Sequence, residues 1–241
     1  MIVTPKLFVH IPKNAGLTIR YSPLLKGRVI IAGPHTHKSP EYTNAVKAQM
    51  DKFGDHHGWE HARWRDLKPS LTSAYDCFAI VRNPWDRVVS RYFFAKKVIY
   101  HEKNSDHYGK TDYCDCSSFE AFLEERHRWG NVKYMWHRAV RGWYPAFDHV
   151  TDKNGKIKCD IMRLENLNSD ICAYLKIPEM TRRRNVTALN EGSYKDIYTK
   201  ETIQIVADWY KKDIDFWGYD FDSGAKRNYW NTTEEGWREN V

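Results

Sequence analysis

Short apolar runs along the chain alternate with segments of helical periodicity. Residues 6–11, 28–32 and 75–81 are apolar and rich in β-branched side chains, and turn residues bound them, as is typical of buried strands. Helical patterns cover residues 16–25, 41–53, 84–97, 119–123, 167–175 and 203–210. Strands that alternate with helices in this way predict an α/β domain.

Local signals refine three of these elements. Asn83 before Pro84 is typical of a helix start, with the asparagine as N-cap. Ser117 and Glu120 have the spacing of a capping box. Asn154-Gly155 separates residues 147–151 from residues 157–164, which predicts a small β-hairpin excursion from the sheet.

Loops are predicted where breakers and polar residues accumulate. Residues 54–67 are dense in His, Trp and Arg and indicate a loop with a short helix, and residues 101–115 indicate a polar loop. Neither repeats nor low-complexity linkers interrupt the pattern. We therefore expect one domain over residues 1–241, with a core of about 6–221 and a C-terminal tail at 222–241.

Composition narrows the class of protein. The net charge of +7 favours acidic partners, but no basic and aromatic stripe indicates a nucleic-acid groove. Five scattered cysteines do not form a disulfide or zinc pattern, so reduced thiols and no metal are expected. No apolar run approaches the roughly 18 residues of a membrane span, and no signal-peptide pattern is present. The expectation is a cytoplasmic protein without membrane partners, if the chain is complete.

The first segment with candidate chemistry follows the first strand. Residues Pro12 to Thr18 contain a cation (Lys13), small residues (Ala15 and Gly16) that let backbone N–H groups approach an anion, and a hydroxyl. The order differs from a P-loop, because Lys13 precedes Gly16 instead of following it. An anion-binding turn and a plain strand–turn–helix connection are both compatible with this spacing.

The second segment follows the strand at residues 75–81. Arg82 ends the strand, and Ser90 lies two helical turns further on. Arg87 and Arg91 share a helix face, which favours an anion or carboxylate between them or a salt-bridge network that includes Asp86. Two such junctions predict a ligand with anionic groups at both ends, such as a nucleotide.

At this point the chain resembles a known family, the sulfotransferases, and among them the carbohydrate enzymes of the chondroitin, dermatan and heparan 2-O type. Residues 10–16 are similar to their 5′-phosphosulfate loop and residues 82–92 to their 3′-phosphate motif. Residues 163–170, 185–187 and 210–219 resemble later segments of the family, in order.

The resemblance implies a P-loop-NTPase-like central parallel sheet flanked by helices. It also implies 3′-phosphoadenosine 5′-phosphosulfate as donor, the 3′,5′-bisphosphate as product, and in-line transfer to a hydroxyl, with a saccharide as the expected acceptor. The 5′ side of the donor would lie against Lys13, Asn14, Ala15, Gly16, Leu17 (by its backbone N–H) and Thr18, and the 3′-phosphate against Arg82 and Ser90. Asn14 and Leu17 depart from the family pattern, which has hydroxyl residues at these positions.

Histidines are the candidates for the base that takes the proton from the acceptor hydroxyl. His35 and His37 follow the second predicted strand, and the resemblance to heparan 2-O enzymes favours His37. His10, His56, His57 and His61 are weaker candidates. Arg182-Arg183-Arg184 is either a solvated basic run or a contact to the donor or an acidic acceptor.

Two other functions compete with a sulfotransferase. A P-loop-type nucleotide kinase would explain anion binding at a strand end, but the residue order argues against it. A non-catalytic binder of polyanions would fit the positive charge.

Overall fold

The structure is a computed structural model in which residues 4–32, 48, 61–104, 114–129, 143–178, 193–224, 227–229 and 237–239 are described. The strands are β1 (Lys6–Val9), β2 (Val29–Ile31), β3 (Cys77–Val81), β4 (Asp160–Arg163), β5 (Arg227–Tyr229) and β6 (Trp237–Glu239). The helices are α1 (Gly16–Arg20), α2 (Pro69–Ala74), α3 (Pro84–Asn104), α4 (Phe119–Trp129), α5 (Ala146–Val150), α6 (Leu167–Leu175), α7 (Lys200–Trp209) and α8 (Lys211–Trp217). Short 3-10 turns occupy Pro23–Leu25, Trp64–Asp66 and Tyr194–Ile197.

One sheet of order β2-β1-β3-β4-β5-β6 organises the described residues. β2, β1, β3 and β4 are parallel, and β5 and β6 add to β4 as antiparallel strands. The predicted α/β class and parallel sheet are therefore confirmed. Part of the predicted C-terminal tail extends this sheet.

Alternate residues of the strands build a core on each face of the sheet. Leu7, Val9 and Ala79 point to the face covered by α3, α4 and α7, whereas Phe8 and Phe78 point to the face covered by α1 and α6. The central strand β3 is buried at all five positions, as its continuous apolar run predicts.

The helix starts are partly as predicted. Asn83 Oδ1 accepts from Trp85 N at 3.0 Å, so Asn83 is the N-cap of α3. The prediction for Ser117 is wrong by one residue, because Ser118 Oγ accepts from Ala121 N at 3.1 Å while Ser117 donates to Asp115. α3 extends seven residues beyond the predicted end at residue 97, into the segment predicted as a loop.

The β-hairpin predicted around Asn154-Gly155 is wrong in its first arm. The turn is present, with Gly155 at φ 77°, but residues 146–150 form helix α5. Pairing across the turn is limited to the bridge between Thr151 and Ile157. The second arm, predicted at 157–164, contains β4 of the parallel sheet. The helix predicted at 41–53 lies outside the described residues, apart from residue 48, which is helical.

Candidate active site

The topology brings the two predicted segments to one place. β2 and β3 lie on opposite sides of β1, so the strand order reverses between β1 and β3. Ligands of open α/β sheets bind outside the carboxyl ends of the strands at such a reversal. Residues 11–18 follow β1 and residues 82–91 follow β3, so both are at this position.

The loop after β1 alternates between left-handed and ordinary backbone conformations. Lys13 and Ala15 have φ of 67° and 59°, and Asn14 between them has negative φ. Left-handed conformations are uncommon for residues with a side chain and concentrate at functional sites. An alternation of this kind forms the concave, N–H-lined nests that bind anions.

Contacts from β3 and α3 hold this loop. Arg82 Nη1 donates to Lys13 O at 3.0 Å and Arg87 Nε donates to Pro12 O at 3.2 Å. The side-chain amide of Asn14 is fully buried and donates to Ile80 O at 2.7 Å. These three hydrogen bonds fix the loop against the end of β3 and the start of α3. Asn14 thus has a structural reason to replace the hydroxyl residue of the family pattern.

Gly16 is required by a close approach. A Cβ at this position would lie 1.6 Å from His10 Nε2, because the imidazole of His10 packs directly on the first residue of α1. The His10 ring also lies 4.3 Å from the His61 ring, and His61 Nδ1 is 3.1 Å from His10 O. Both histidines are weaker candidates for the base in the sequence; the structure places His10 against Gly16 and His61 against His10.

The Lys13 side chain lies near two other cationic side chains, those of Arg82 and Lys97. Its Nζ lies 4.5 Å from the centroid of the Phe94 ring. Burial, together with the charges of Arg82 and Lys97, lowers the pKa of Lys13 from 10.5 to about 7. No carboxylate within the described part of the chain pairs with this ammonium. An anion bound here would supply the missing counter-charge.

Arg82 has a fixed orientation. Its Nε and Nη2 donate to the two carboxylate oxygens of Asp86 at 2.8 and 2.6 Å, while Nη1 reaches the loop. This bidentate pair directs the guanidinium towards the end of β1. The two junctions identified in the sequence are thus joined by a direct hydrogen bond.

Neutral groups accept the described hydrogen bonds of the two α3 arginines, whereas the sequence predicts an anion, a carboxylate or a salt-bridge network with Asp86. Arg87 and Arg91 are buried, and their described acceptors are two carbonyl groups and a tyrosine hydroxyl. Arg91 Cζ lies 3.9 Å from the centroid of the Trp143 ring, and Arg91 Nη1 donates to Tyr210 Oη at 3.1 Å. Burial lowers the pKa of Arg91 to about 10.

Asp213 belongs to the surroundings of Arg87. This buried carboxylate accepts from Ala146 N and Phe147 N, at 2.7 and 2.8 Å, and thereby caps α5. Burial raises the pKa of Asp213 to about 6, although the charge of Arg87 and the two N–H donors oppose that rise. No sequence signal links Asp213 to residues 146 and 147, because 67 and 66 positions separate them.

The remaining predicted site residues are distributed as follows. Thr18 and Ser90 are buried, and Leu17 is partly exposed. His35, His37, His56, His57 and the run Arg182-Arg183-Arg184 lie outside the described residues, so their predicted roles stay predictions. Phe94, which contacts Lys13, was missed because its apolar character gave no signal of chemistry.

Two further findings concern metals and membranes. Within the described ranges, no group of three or more His, Cys, Asp or Glu side chains is arranged as a metal site. In the same part of the chain, no helix combines the length and apolarity that a bilayer span requires.

The fold is an α/β sheet with a loop of alternating backbone handedness, beside Lys13 and Arg82, at its switch point. Residues 7–220 match the family model described as the sulfotransferase family. The chain therefore belongs to this family, and sulfuryl transfer is the reaction that membership supports.

A crystal structure of a sulfotransferase from Alicyclobacillus acidocaldarius is similar over 91% of this chain and 98% of its own, with 16% identity and a TM-score of 0.38. No curated protein sequence matches the chain.

Proposed function

We propose that the protein transfers a sulfuryl group from 3′-phosphoadenosine 5′-phosphosulfate to a hydroxyl group, with a saccharide as acceptor. The observation that carries the proposal is the Lys13 ammonium, held beside Arg82 and Lys97 without a carboxylate partner among the described residues. Three cations around one loop at the switch point of the sheet fit a nucleotide with several anionic groups.

The residues present fit this donor. Lys13, Asn14, Ala15, Gly16, Leu17 and Thr18 would hold the 5′ side, where the N–H groups of the loop and the Lys13 ammonium face an anion. Arg82 and Ser90, on the adjacent junction, would hold the 3′-phosphate. The donor, when bound, supplies an activated sulfuryl group on a phosphate leaving group.

Catalysis then requires charge stabilisation and positioning. Lys13 would neutralise the negative charge that develops on the leaving phosphate. A bound anion favours the protonated amine, so the pKa of Lys13 rises from about 7 when the site fills. His37 would accept the proton of the acceptor hydroxyl, with His35 as the second candidate.

Binding of the product tests the proposal most directly. We expect 3′,5′-bisphosphoadenosine to raise the melting temperature, because a ligand of the native state stabilises it by mass action. Arg82→Ala should remove most of that shift, whereas Lys211→Ala, far along the chain on α8, should keep it. No shift at millimolar bisphosphate would overturn the proposal. A response to Mg²⁺-ATP alone would indicate a kinase instead.

A second experiment addresses the base and the acceptor. Labelled sulfate donor is incubated with a panel of saccharides, lipids and phenols, and we expect label in a saccharide. His37→Ala should keep the thermal shift and lose turnover. Full turnover of this variant would exclude His37 as the base.

A further inference from the structure

One face of α3 runs along the candidate donor site beyond the residues assigned so far. Ser90, Phe94 and Lys97 lie at positions i, i+4 and i+7 of this helix, so they share one face. The Lys13 Nζ lies over the middle residue of the three, 4.5 Å from the centroid of the Phe94 ring. The donor site thus has an aromatic wall next to its lysine.

The charged groups that act on Lys13 are cations. Arg82, from the end of β3, and Lys97, from α3, both repel the ammonium. Among the described acids near Arg82, Asp86 is engaged by two donors of Arg82, and Glu165 accepts from Asn83 N. The face of a phenyl ring attracts a cation, and this attraction grows as water is removed. Within the described residues, the Phe94 ring is the attractive contact that Nζ makes.

We propose that Phe94 is a positioning residue that holds Lys13 Nζ beside the loop after β1 before the donor binds. This inference rests on the proposed function for its catalytic meaning. A lysine side chain that is already ordered loses less conformational freedom on binding, so the donor binds more tightly and the ammonium is in place for transfer. Phe94 acts through Lys13 and need not touch the donor.

Three variants separate positioning from general packing. Phe94→Leu removes the aromatic face and keeps an apolar side chain, whereas Phe94→Tyr keeps the face. Phe93→Leu is the matched control, since Phe93 is the adjacent aromatic residue. The centroid of its ring lies 5.3 Å from that of Tyr92. All three are compared with the natural protein by calorimetric titration with 3′,5′-bisphosphoadenosine from pH 6 to pH 8.5.

The expected result is specific to the ring. Phe94→Leu should weaken bisphosphate binding about 3- to 10-fold, the loss expected for a partly desolvated cation–π contact. The loss should be larger at pH 8 than at pH 6, because the neutral amine becomes more populated in this variant. Phe94→Tyr and Phe93→Leu should stay within about twofold of the natural protein. Equal affinities in all four proteins, or tighter binding by Phe94→Leu, would overturn the inference.

A second readout needs no ligand, so it separates this inference from the proposed function. Trace acetic anhydride at pH 6.5 acetylates neutral, accessible amines, and peptide mass spectrometry measures the rate at Lys13. We expect a rate at least about threefold higher in Phe94→Leu than in Phe94→Tyr, Phe93→Leu or the natural protein. An unchanged rate would overturn the inference. A faster rate in a protein that does not bind the bisphosphate would support the positioning role and overturn the proposed function.

Discussion

The loop after β1 is shaped by its backbone, whereas the segment after β3 is shaped by side chains. In the first, Lys13 and Ala15 adopt left-handed conformations and Gly16 lies against the His10 ring. In the second, Arg82 is paired with Asp86, and Arg87 spans two carbonyl groups. One strand end supplies a loop and the Lys13 ammonium, which has no carboxylate partner among the described residues, and the other supplies the framework that holds them.

This difference assigns separate tasks to residues that look alike in the sequence. Arg82 and Arg87 both donate to the loop, but Arg82 is partly exposed beside Lys13 and Arg87 is buried behind Pro12. A partly exposed arginine retains capacity for a ligand. A buried arginine whose donors reach carbonyl groups is needed for the fold itself.

The largest expected effect is on stability, at Arg87. Arg87→Met leaves the carbonyls of Pro12 and Tyr144 without this donor and the Asp213 carboxylate without its neighbouring positive charge. We expect a loss of about 3–5 kcal/mol in the free energy of unfolding, as for removal of one member of a buried charged network. Urea unfolding monitored by tryptophan fluorescence measures this value.

Arg82→Met provides the comparison for that experiment. It removes a partly exposed ion pair and one backbone hydrogen bond, for which we expect a loss of about 1–2 kcal/mol. The order of the two losses is decisive. If Arg82→Met were the more destabilising variant, the proposed division between framework and ligand contact would be wrong.

The same division explains what could be predicted from the sequence. The strands at 6–11 and 75–81 and the N-cap Asn83 depend on local apolar runs and local hydrogen bonds, and the structure contains them. The placement of both junctions at one edge follows from parallel pairing of β1 with β3. Local patterns suffice wherever neighbouring residues determine the conformation.

Predictions were wrong where residues distant in the sequence determine the local conformation or the partners of a side chain. Residues 147–151 look like a hairpin arm, but Asp213 accepts from the N–H groups of residues 146 and 147 and so stabilises a helix. The partners of Arg87 and Arg91 also come from distant parts of the chain, at Tyr144, Trp143 and Tyr210. The left-handed conformation of Lys13 has no signal in the sequence, because lysine rarely adopts it.

The second prediction tests the backbone side of the comparison. Gly16→Ala places a Cβ 1.6 Å from His10 Nε2, so either the ring or the start of α1 must shift. We expect bisphosphate affinity to fall about 10- to 100-fold, since a displacement near 1 Å at a binding site has effects of this size. Gly16 does not have positive φ, so the loss is caused by the contact rather than by backbone strain.

His10→Ala is the control for that contact. In the double variant, the space under residue 16 is open, and we expect most of the affinity lost in Gly16→Ala to return. Calorimetric titration of the natural protein and the three variants completes a double-mutant cycle. Additive losses would show that His10 does not constrain the loop, and the account of Gly16 would then be wrong.

The third and smallest expected effect is a pH dependence that belongs to Lys13 alone. The native state releases its Lys13 proton near pH 7, whereas the unfolded chain keeps it up to about pH 10.5. Between these values the unfolded state binds more protons, so this group makes the unfolding free energy rise with pH. The difference in unfolding free energy between the natural protein and Lys13→Met should therefore be flat below pH 7 and increase above it.

A saturating anion that keeps Lys13 protonated in the native state should reduce this increase. Urea unfolding at pH 6, 7, 8 and 9, with and without 3′,5′-bisphosphoadenosine, measures both slopes. A difference that stays flat over the whole range would mean that Lys13 is fully charged in the free protein. The account of Lys13 as a buried cation without a described carboxylate partner would then be wrong, while the framework role of the segment after β3 would be unaffected.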